Sequence, residues 1–339
     1  MHGKNRRILL KSRPVGMPTA ANFDAVEVPL PPVADGEVLR RTIYLSLDPY
    51  MRGRMSDAPS YAAPVNVGDV MCGHTVSEVV ESRNPAFRAG DVVAGYDGWQ
   101  QYAASAGNDL RKLDPRAAPV STAIGVLGMP GMTAFVGLID IGQPRTGETV
   151  VVSAASGAVG SVVGQLAKAR GCRAVGIAGS AEKCRYVVEE LGFDACINYK
   201  TDDLVPALRA ACPNRIDIYF ENVGGAVFAA VLRLLNRGAR IPLCGMISEY
   251  NATEDRGGPS LRSLLVNRAM IKGFIVSDHV DRMPAFIQEV APLVRDGRIK
   301  YREDVVDGLD AAPQGLIGLL EGRNFGKMMV RVSPDPTRS

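Results

Sequence analysis

Closely spaced cysteines are missing from this chain. Cys72, Cys172, Cys184, Cys196, Cys212 and Cys244 are scattered, with no C-x-x-C spacing. That excludes a dense disulfide framework, and in a chain this long the thiols are expected to be reduced and the protein cytoplasmic. Zinc ligands are equally scarce. The first 119 residues hold one cysteine, Cys72, and two histidines, His2 and His74, whereas a zinc site takes three or four Cys, His or carboxylate ligands at definite spacing. Cys72 and His74 alternate on one face of an expected strand, but no third ligand is evident. His74 reads as a locally packed or hydrogen-bonded side chain, and no metal is expected. Long apolar runs are absent too. The two uncharged stretches, Ala117 to Ile139 and Thr149 to Ala167, are full of Gly, Ser, Thr and Ala, and Pro130 interrupts the first. A membrane span needs about 20 mainly apolar residues. The basic N-terminus "MHGKNRRILLKSRP" has an apolar part of only three residues, so no secretory leader is expected. Neither sign of charge dominates, with 39 Lys and Arg against 36 Asp and Glu. Neither a nucleic-acid nor a membrane partner is expected.

What is present is ordinary globular composition over 339 residues, 46% of them hydrophobic, with 36 glycines and 22 prolines. That length suits two domains. Residues 1–118 read as strands and turns, with the β-rich run Arg41–Leu47 ended by Asp48-Pro49, and suggest a compact β-barrel. Past the connector "LRKLDPRAAPVS" the rhythm changes. Strands are expected at 149–153, 173–178, 195–198, 216–221, 240–245 and 270–275. Helices are expected at 159–168, 181–191, 203–211, 226–235, 260–268 and 283–296. Strands spaced by helices mean right-handed βαβ units and a parallel sheet covered on both faces. The fold class is thus α/β, with a nucleotide-binding domain over 119–299 and a return of 300–339 to the first domain.

The stretch "VVVSAASGAVGSVVGQLAKARG" (Val150 to Gly171) carries a strand, a glycine-spaced turn and a helix. It nearly spells G-x-G-x-x-G, with Gly157 and Gly160 in the second and third places and Ala155 in the first. In such turns one glycine permits the bend, one admits the pyrophosphate and one lets helix and strand pack. The helix N-terminus then faces the phosphates. An NAD site places a carboxylate about 20 residues on, for the ribose 2′-OH. Here the second strand ends in Gly179-Ser180, with Lys183 and Arg185 in the next helix. A lysine attracts a 2′-phosphate, so NADP(H) is the expected coenzyme.

Ordered motifs along the chain resemble a known family. They include "LSLDPYMRGRM", "KLDP", "GVLGMPGMTAF", "AASGAVGSVVGQLAK", "GIAGSAEK", "ELGFDACINYK", "ENVGG", "CGMISEYN", "GFIVSDH" and "GRNFGKMMV". The chain is similar to the zinc-independent medium-chain dehydrogenase/reductases of the leukotriene B4 12-hydroxydehydrogenase/prostaglandin reductase group, which includes alkenal double-bond reductases and curcumin reductase. The resemblance implies a GroES-like catalytic domain built from both chain ends plus a central Rossmann domain. It also implies NADPH-dependent reduction of a carbon–carbon double bond conjugated to a carbonyl, and commonly a homodimer. By the same resemblance Gly157, Ala158, Val159 and Gly160 would hold the pyrophosphate, and Lys183 and Tyr199 the 2′-phosphate. Asn222 would lie near the nicotinamide side. Cys244, Gly245, Met246, Ile247, Ser248, Tyr250, Phe274, Ile275, Val276 and Asn324 would complete the coenzyme wall.

Hydride attack on the β-carbon of an enal or enone builds charge on the carbonyl oxygen, where a hydrogen-bond donor can replace a metal. Tyr50, just past Asp48-Pro49, and Tyr250, past a nucleotide-domain strand, are the candidate side-chain donors, with the coenzyme ribose hydroxyl as the alternative. A phenol, that hydroxyl or water then protonates the α-carbon. Arg52 reads as a surface salt bridge, His279 as a loop or cap residue, and Asn251–Ser263 as a polar flap over the substrate. Quinone reduction by the same hydride, and a non-catalytic NADPH-binding role, stay open as alternatives.

Overall fold

A computed structural model describes residues 3–254 and 257–338. His2, and Asp255 and Arg256 of the expected flap, lie outside the described residues. The chain divides into two compact units, one made of residues 1–125 and 303–339 and the other of 126–302.

In chain order, the first unit begins with β1 (Lys4–Leu10), β2 (Phe23–Pro29), β3 (Val38–Ser46) and a short α1 (Tyr50–Arg54). It continues with β4 (Thr75–Ser82), β5 (Val92–Gly95), β6 (Tyr102–Ser105) and β7 (Arg111–Leu113). The second unit holds α2 (Met129–Phe135), β8 (Thr149–Ser153), α3 (Gly160–Ala169), β9 (Arg173–Ala178), α4 (Ala181–Glu189) and β10 (Ala195–Asn198). It goes on through α5 (Leu204–Ala211), β11 (Ile216–Phe220), α6 (Gly225–Leu232), β12 (Leu235–Leu243), α7 (Arg262–Asn267), β13 (Met270–Gly273) and α8 (Met283–Arg295). The chain then re-enters the first unit with β14 (Glu303–Asp307), α9 (Ala312–Leu320) and β15 (Lys327–Arg331).

In the first unit, the GroES-like one, the main sheet runs β14-β15-β3-β4-β5-β7, with β6 also paired to β3. The C-terminal return is an antiparallel pairing that sets Met329 opposite Ser46 and Val330 opposite Leu45. Val38 to Ser46 is buried along almost its whole length, which is why the run lacks the alternation of a strand with one wet face. Its buried Arg40 pairs with Asp97, whose carboxylate also accepts from Thr75 Oγ1 at 3.1 Å and Ser77 Oγ at 3.0 Å. A buried charge is tolerable only when its lone pairs are met in this way.

The second unit is a doubly wound parallel sheet in the order β10-β9-β8-β11-β12-β13. Thr149 to Ser153 is buried at every residue, as a central strand covered on both faces must be. Helices α5 and α6 pack over one region of the sheet in a cluster that includes Val151, Val175, Leu208, Tyr219, Phe228 and Ile241. Strand order reverses beside β8, between β9 and β11. Open α/β sheets bind ligands outside the strands' carboxyl ends at such a switch point.

Candidate active site

The turn after β8 shows how an alanine replaces the first glycine of the nucleotide fingerprint. Ala154 takes the left-handed bend, at φ 51°, while Ala155 is fully buried. Facing it on β9 is Gly176, where an added Cβ would stand 2.8 Å from the Ala155 methyl. The methyl missing from one strand thus makes room for the extra one in the turn. Gly160 is not replaceable in the same way, because a Cβ there would meet the Ala154 carbonyl oxygen at 2.4 Å. Helix α3 begins at that glycine, and Val159 before it offers no capping side chain. The amides of Ser161 and Val162 donate to the Gly157 and Val159 carbonyls at 3.0 and 3.1 Å, and the positive end of the helix dipole faces the turn, where it favours an anion. Gly157, Ala158 and Val159 are half-buried around it.

At the carboxyl end of β9, Ser180 caps α4, its hydroxyl accepting from the Lys183 amide at 3.2 Å. Lys183 is half-buried. Tyr199, just past β10, is held by its amide donating to the Ala178 carbonyl at 3.0 Å. Its ring lies over Gly179, where a Cβ would stand 3.0 Å from Cε1. The structure thus brings a lysine and an exposed phenol ring to one strand end, without a carboxylate in the position that would repel a 2′-phosphate.

Loops at the ends of β11 and β12 are knitted together. The buried Glu221 carboxylate accepts from the amides of Val223 at 2.6 Å and Gly224 at 3.1 Å, and from Ser153 Oγ at 3.0 Å. Burial raises its pKa, opposed by these donors. Asn222 donates through Nδ2 to the Ser153 carbonyl and through its amide to Ser153 Oγ, each at 2.8 Å. Cys244 and Gly245 donate their amides to Glu221 O, and Ile247 and Ser248 theirs to Asn222 O and Val223 O. Burial pushes the Cys244 thiol up to about 12, so it is an inert small side chain beside the site. Tyr250 folds back on this loop. Its hydroxyl accepts from the Met246 amide at 3.4 Å and lies where a Cβ on Gly245 would come within 2.9 Å. Phe274 is buried with its ring edge-on to Phe220 at 6.3 Å, and Ile275 and Val276 follow it half-buried. His279 lies in the 3-10 turn ahead of α8, 6.4 Å from the Phe274 ring. Asn324 belongs to the GroES-like unit, where its side-chain amide donates to the Gly326 carbonyl at 2.8 Å.

Within that GroES-like unit, Tyr50 opens α1, and its surroundings come from segments far apart in sequence that no local spacing reveals. Lys327, fully enclosed, donates from Nζ to the Leu47 carbonyl at 2.7 Å and to Asp48 Oδ1 at 3.0 Å, fixing the loop that leads into α1. The Tyr50 hydroxyl donates to that of Tyr96 at 3.4 Å. His74 stands edge-on to both rings, 6.5 Å from Tyr50 and 4.8 Å from Tyr96. Burial, reinforced by the Asp48 charge, pushes the Tyr50 phenol well above its ordinary value, while burial lowers the pKa of His74. Both are neutral near pH 7, and Tyr50 keeps its proton. The buried His74 Nδ1 has no hydrogen-bond partner among the described residues.

Two expectations fail here. Cys72 and His74 do not alternate on a strand, because β4 starts only at Thr75 and Gly73 packs closely against Leu45 and Met51. Arg52 is not a surface salt bridge. It is buried, and its guanidinium donates to the Gly16 carbonyl at 2.9 Å and the Pro14 carbonyl at 3.4 Å. No spacing rule reveals such a contact with a distant loop. Among the described residues no group of three or more His, Cys, Asp or Glu could hold a metal ion.

A parallel nucleotide-binding sheet with a GroES-like unit split between the chain ends defines an oxidoreductase architecture, and comparison with known proteins agrees. A family model described as the N-terminal domain of oxidoreductase matches residues 6–113, and one described as zinc-binding dehydrogenase matches 158–292. The chain is 54% identical to the NADPH-dependent curcumin reductase of Escherichia coli, over 98% of each chain. It is 42% identical to the NADP(+)-dependent 2-alkenal reductase of Nicotiana tabacum, over 97% of this chain and 98% of that one. The crystal structure of CurA with NADPH from Vibrio vulnificus superposes with a TM-score of 0.94 at 52% identity, over 97% of this chain and 100% of that one. The chain belongs to the zinc-independent medium-chain dehydrogenase/reductases, in the group of the curcumin, 2-alkenal and prostaglandin reductases.

Proposed function

We propose that this protein reduces the carbon–carbon double bond of α,β-unsaturated aldehydes and ketones, with NADPH as coenzyme. The carrying observation is the rim of the parallel sheet. A glycine turn and an uncapped helix N-terminus lie beside Lys183 and Tyr199, and next to them is a loop that presents Tyr250. Relatives named for curcumin and 2-alkenal reduction at 54% and 42% identity support the same reading.

Gly157 to Gly160 receive the pyrophosphate, Lys183 and Tyr199 the 2′-phosphate, and Asn222 with the Cys244–Ser248 loop the nicotinamide side. Phe274, Ile275 and Val276 complete the wall. The bound coenzyme supplies the hydride. Tyr250 is the donor we assign to the substrate's carbonyl oxygen, with Tyr50 of the GroES-like unit as the alternative donor. Tyr50 holds its proton through neutral pH and, among the described residues, shares it through one long contact with Tyr96, so a developing oxyanion is the better acceptor. A conjugated oxygen so held needs no Lewis acid.

We further place the protein in the cytoplasm as a homodimer joined along β13. Strand β13 is a sheet edge exposed at every residue. Beside it Leu265 and Val266 of α7 are 81% and 57% exposed. Among the described residues no helix is long and apolar enough to cross a membrane.

Two measurements test the reading. Oxidation of NADPH followed over matched enals, enones and quinones should be fastest with the enals and enones. Preference for quinones would favour the quinone-reductase alternative, and binding of NADPH without turnover would favour a non-catalytic role. Lys183→Ala should weaken NADPH by about 10-fold or more, the worth of a charge-assisted hydrogen bond, and leave NADH unchanged. Equal loss of both coenzymes would remove Lys183 from the phosphate site.

A further inference from the structure

Cys184 and Cys196 are twelve residues apart in sequence and read as unrelated thiols, yet their sulfur atoms lie 3.0 Å apart. Cys184 sits in the second turn of α4, directly after Lys183. Cys196 lies on β10, three residues before Tyr199. The contact depends again on Gly176, where a Cβ would stand 3.3 Å from the Cys196 sulfur and 2.8 Å from the Ala155 methyl. Both cysteines are only half-buried, whereas Cys72, Cys172 and Cys212 are buried.

We propose that Cys184 and Cys196 form an oxidative modification site, a dithiol that a hydroperoxide closes to a disulfide, and that closure weakens NADPH binding. This consequence rests on the placement of the 2′-phosphate at Lys183 and Tyr199. Direction is set by the hydrogen bond, in which the Cys196 thiol donates and the Cys184 sulfur accepts. That bond favours thiolate at Cys184 and lowers its pKa, while the thiol of Cys196 is held protonated. By contrast, burial raises Cys172 to about 11 and Cys212 and Cys244 to about 12. The thiolate is the reacting form, so Cys184 is the attacking sulfur.

The chemistry balances with hydrogen peroxide as the two-electron oxidant. The Cys184 thiolate attacks one peroxide oxygen and the O–O bond breaks, giving the sulfenic acid and hydroxide. Cys196 sulfur then attacks the Cys184 sulfur, the S–O bond breaks, and a second hydroxide leaves. The Cys196 proton and the one balancing the Cys184 thiolate convert both hydroxides to water. Two thiols and one peroxide become one disulfide and two waters. A disulfide bond is about 2.05 Å long, so the sulfurs must approach by about 1 Å. The approach draws the start of α4 toward β10 and shifts Lys183 relative to Tyr199.

The test exposes the full-length enzyme to hydrogen peroxide without reductant, blocks free thiols, and maps peptides by mass spectrometry. The same samples are assayed with NADPH and NADH. We expect a Cys184–Cys196 cross-linked peptide lacking two hydrogens and reversed by dithiothreitol, together with an NADPH KM raised about tenfold and an unchanged NADH KM. Cys184→Ser and Cys196→Ser should each abolish the cross-link and the KM change while leaving reduced-state turnover intact. Sulfinic acid at Cys184 without the cross-link, or earlier reaction at another cysteine, would overturn the site. A cross-linked enzyme with its coenzyme preference intact would overturn the coupling. Lys183→Ala in the reduced enzyme tests the phosphate placement separately, because the peptide map reports the dithiol either way.

Discussion

At the scale of single residues, one glycine does two jobs. Gly176 makes space for the Ala155 methyl that stands where a fingerprint glycine is usual, and for the sulfur of Cys196. A Cβ placed there would also come within 2.9 Å of Val187 Cγ1. Overpacking a filled core of this kind costs about 1–3 kcal/mol. Gly176→Ala should therefore lower the thermal midpoint, and adding Ala155→Gly should recover part of the loss. A double mutant no more stable than Gly176→Ala alone would show that the two positions do not share space. Tyr250→Phe bears on chemistry instead. Loss of one oxyanion donor is worth about 3–4 kcal/mol, so turnover should fall by about a hundredfold or more while NADPH binding changes little. An unchanged rate would take Tyr250 out of the mechanism. The strand, glycine turn and helix from β8 into α3 were legible because residue type and local spacing carry their meaning. The Lys327–Asp48 bond, the Tyr50–Tyr96 contact and the burial of Arg52 were not, since each joins segments that only the fold brings together.

At the scale of elements, the parallel sheet was legible almost strand by strand. Runs such as "TVVVS" and "RAVGIA" are buried, short and bounded by turn residues, which period and composition both report. Strand β12 begins at Leu235 rather than at the expected Arg240, because "NRG" is polar enough to read as a turn. Helix α2 and the π-helical turn from Val136 to Gly142 went unassigned. They are buried nearly all round, and a helix without a wet face has no amphipathic signal. Strand β13 carries a prediction of its own. An exposed strand edge is a template for pairing, so Ile271→Lys should convert a dimer to a monomer at micromolar concentration, as read by light scattering after size exclusion. A wild-type protein already monomeric there would contradict the dimer along this edge.

At the scale of the whole molecule, the chain carries two units of different chemistry. We propose that the parallel sheet carries a nucleotide rim at the ends of β8, β9, β10 and β11, built from Gly160, Lys183, Tyr199 and Asn222. The GroES-like unit holds a neutral cluster of Tyr50, His74 and Tyr96, fastened through Asp48 and Lys327. The direct measurement uses NADPH deuterated at the transferable C4 position and a simple enone, with the product analysed by NMR. The account predicts a saturated ketone with deuterium on the β-carbon and an intact carbonyl. Deuterium on the carbonyl carbon of an unsaturated alcohol would contradict it.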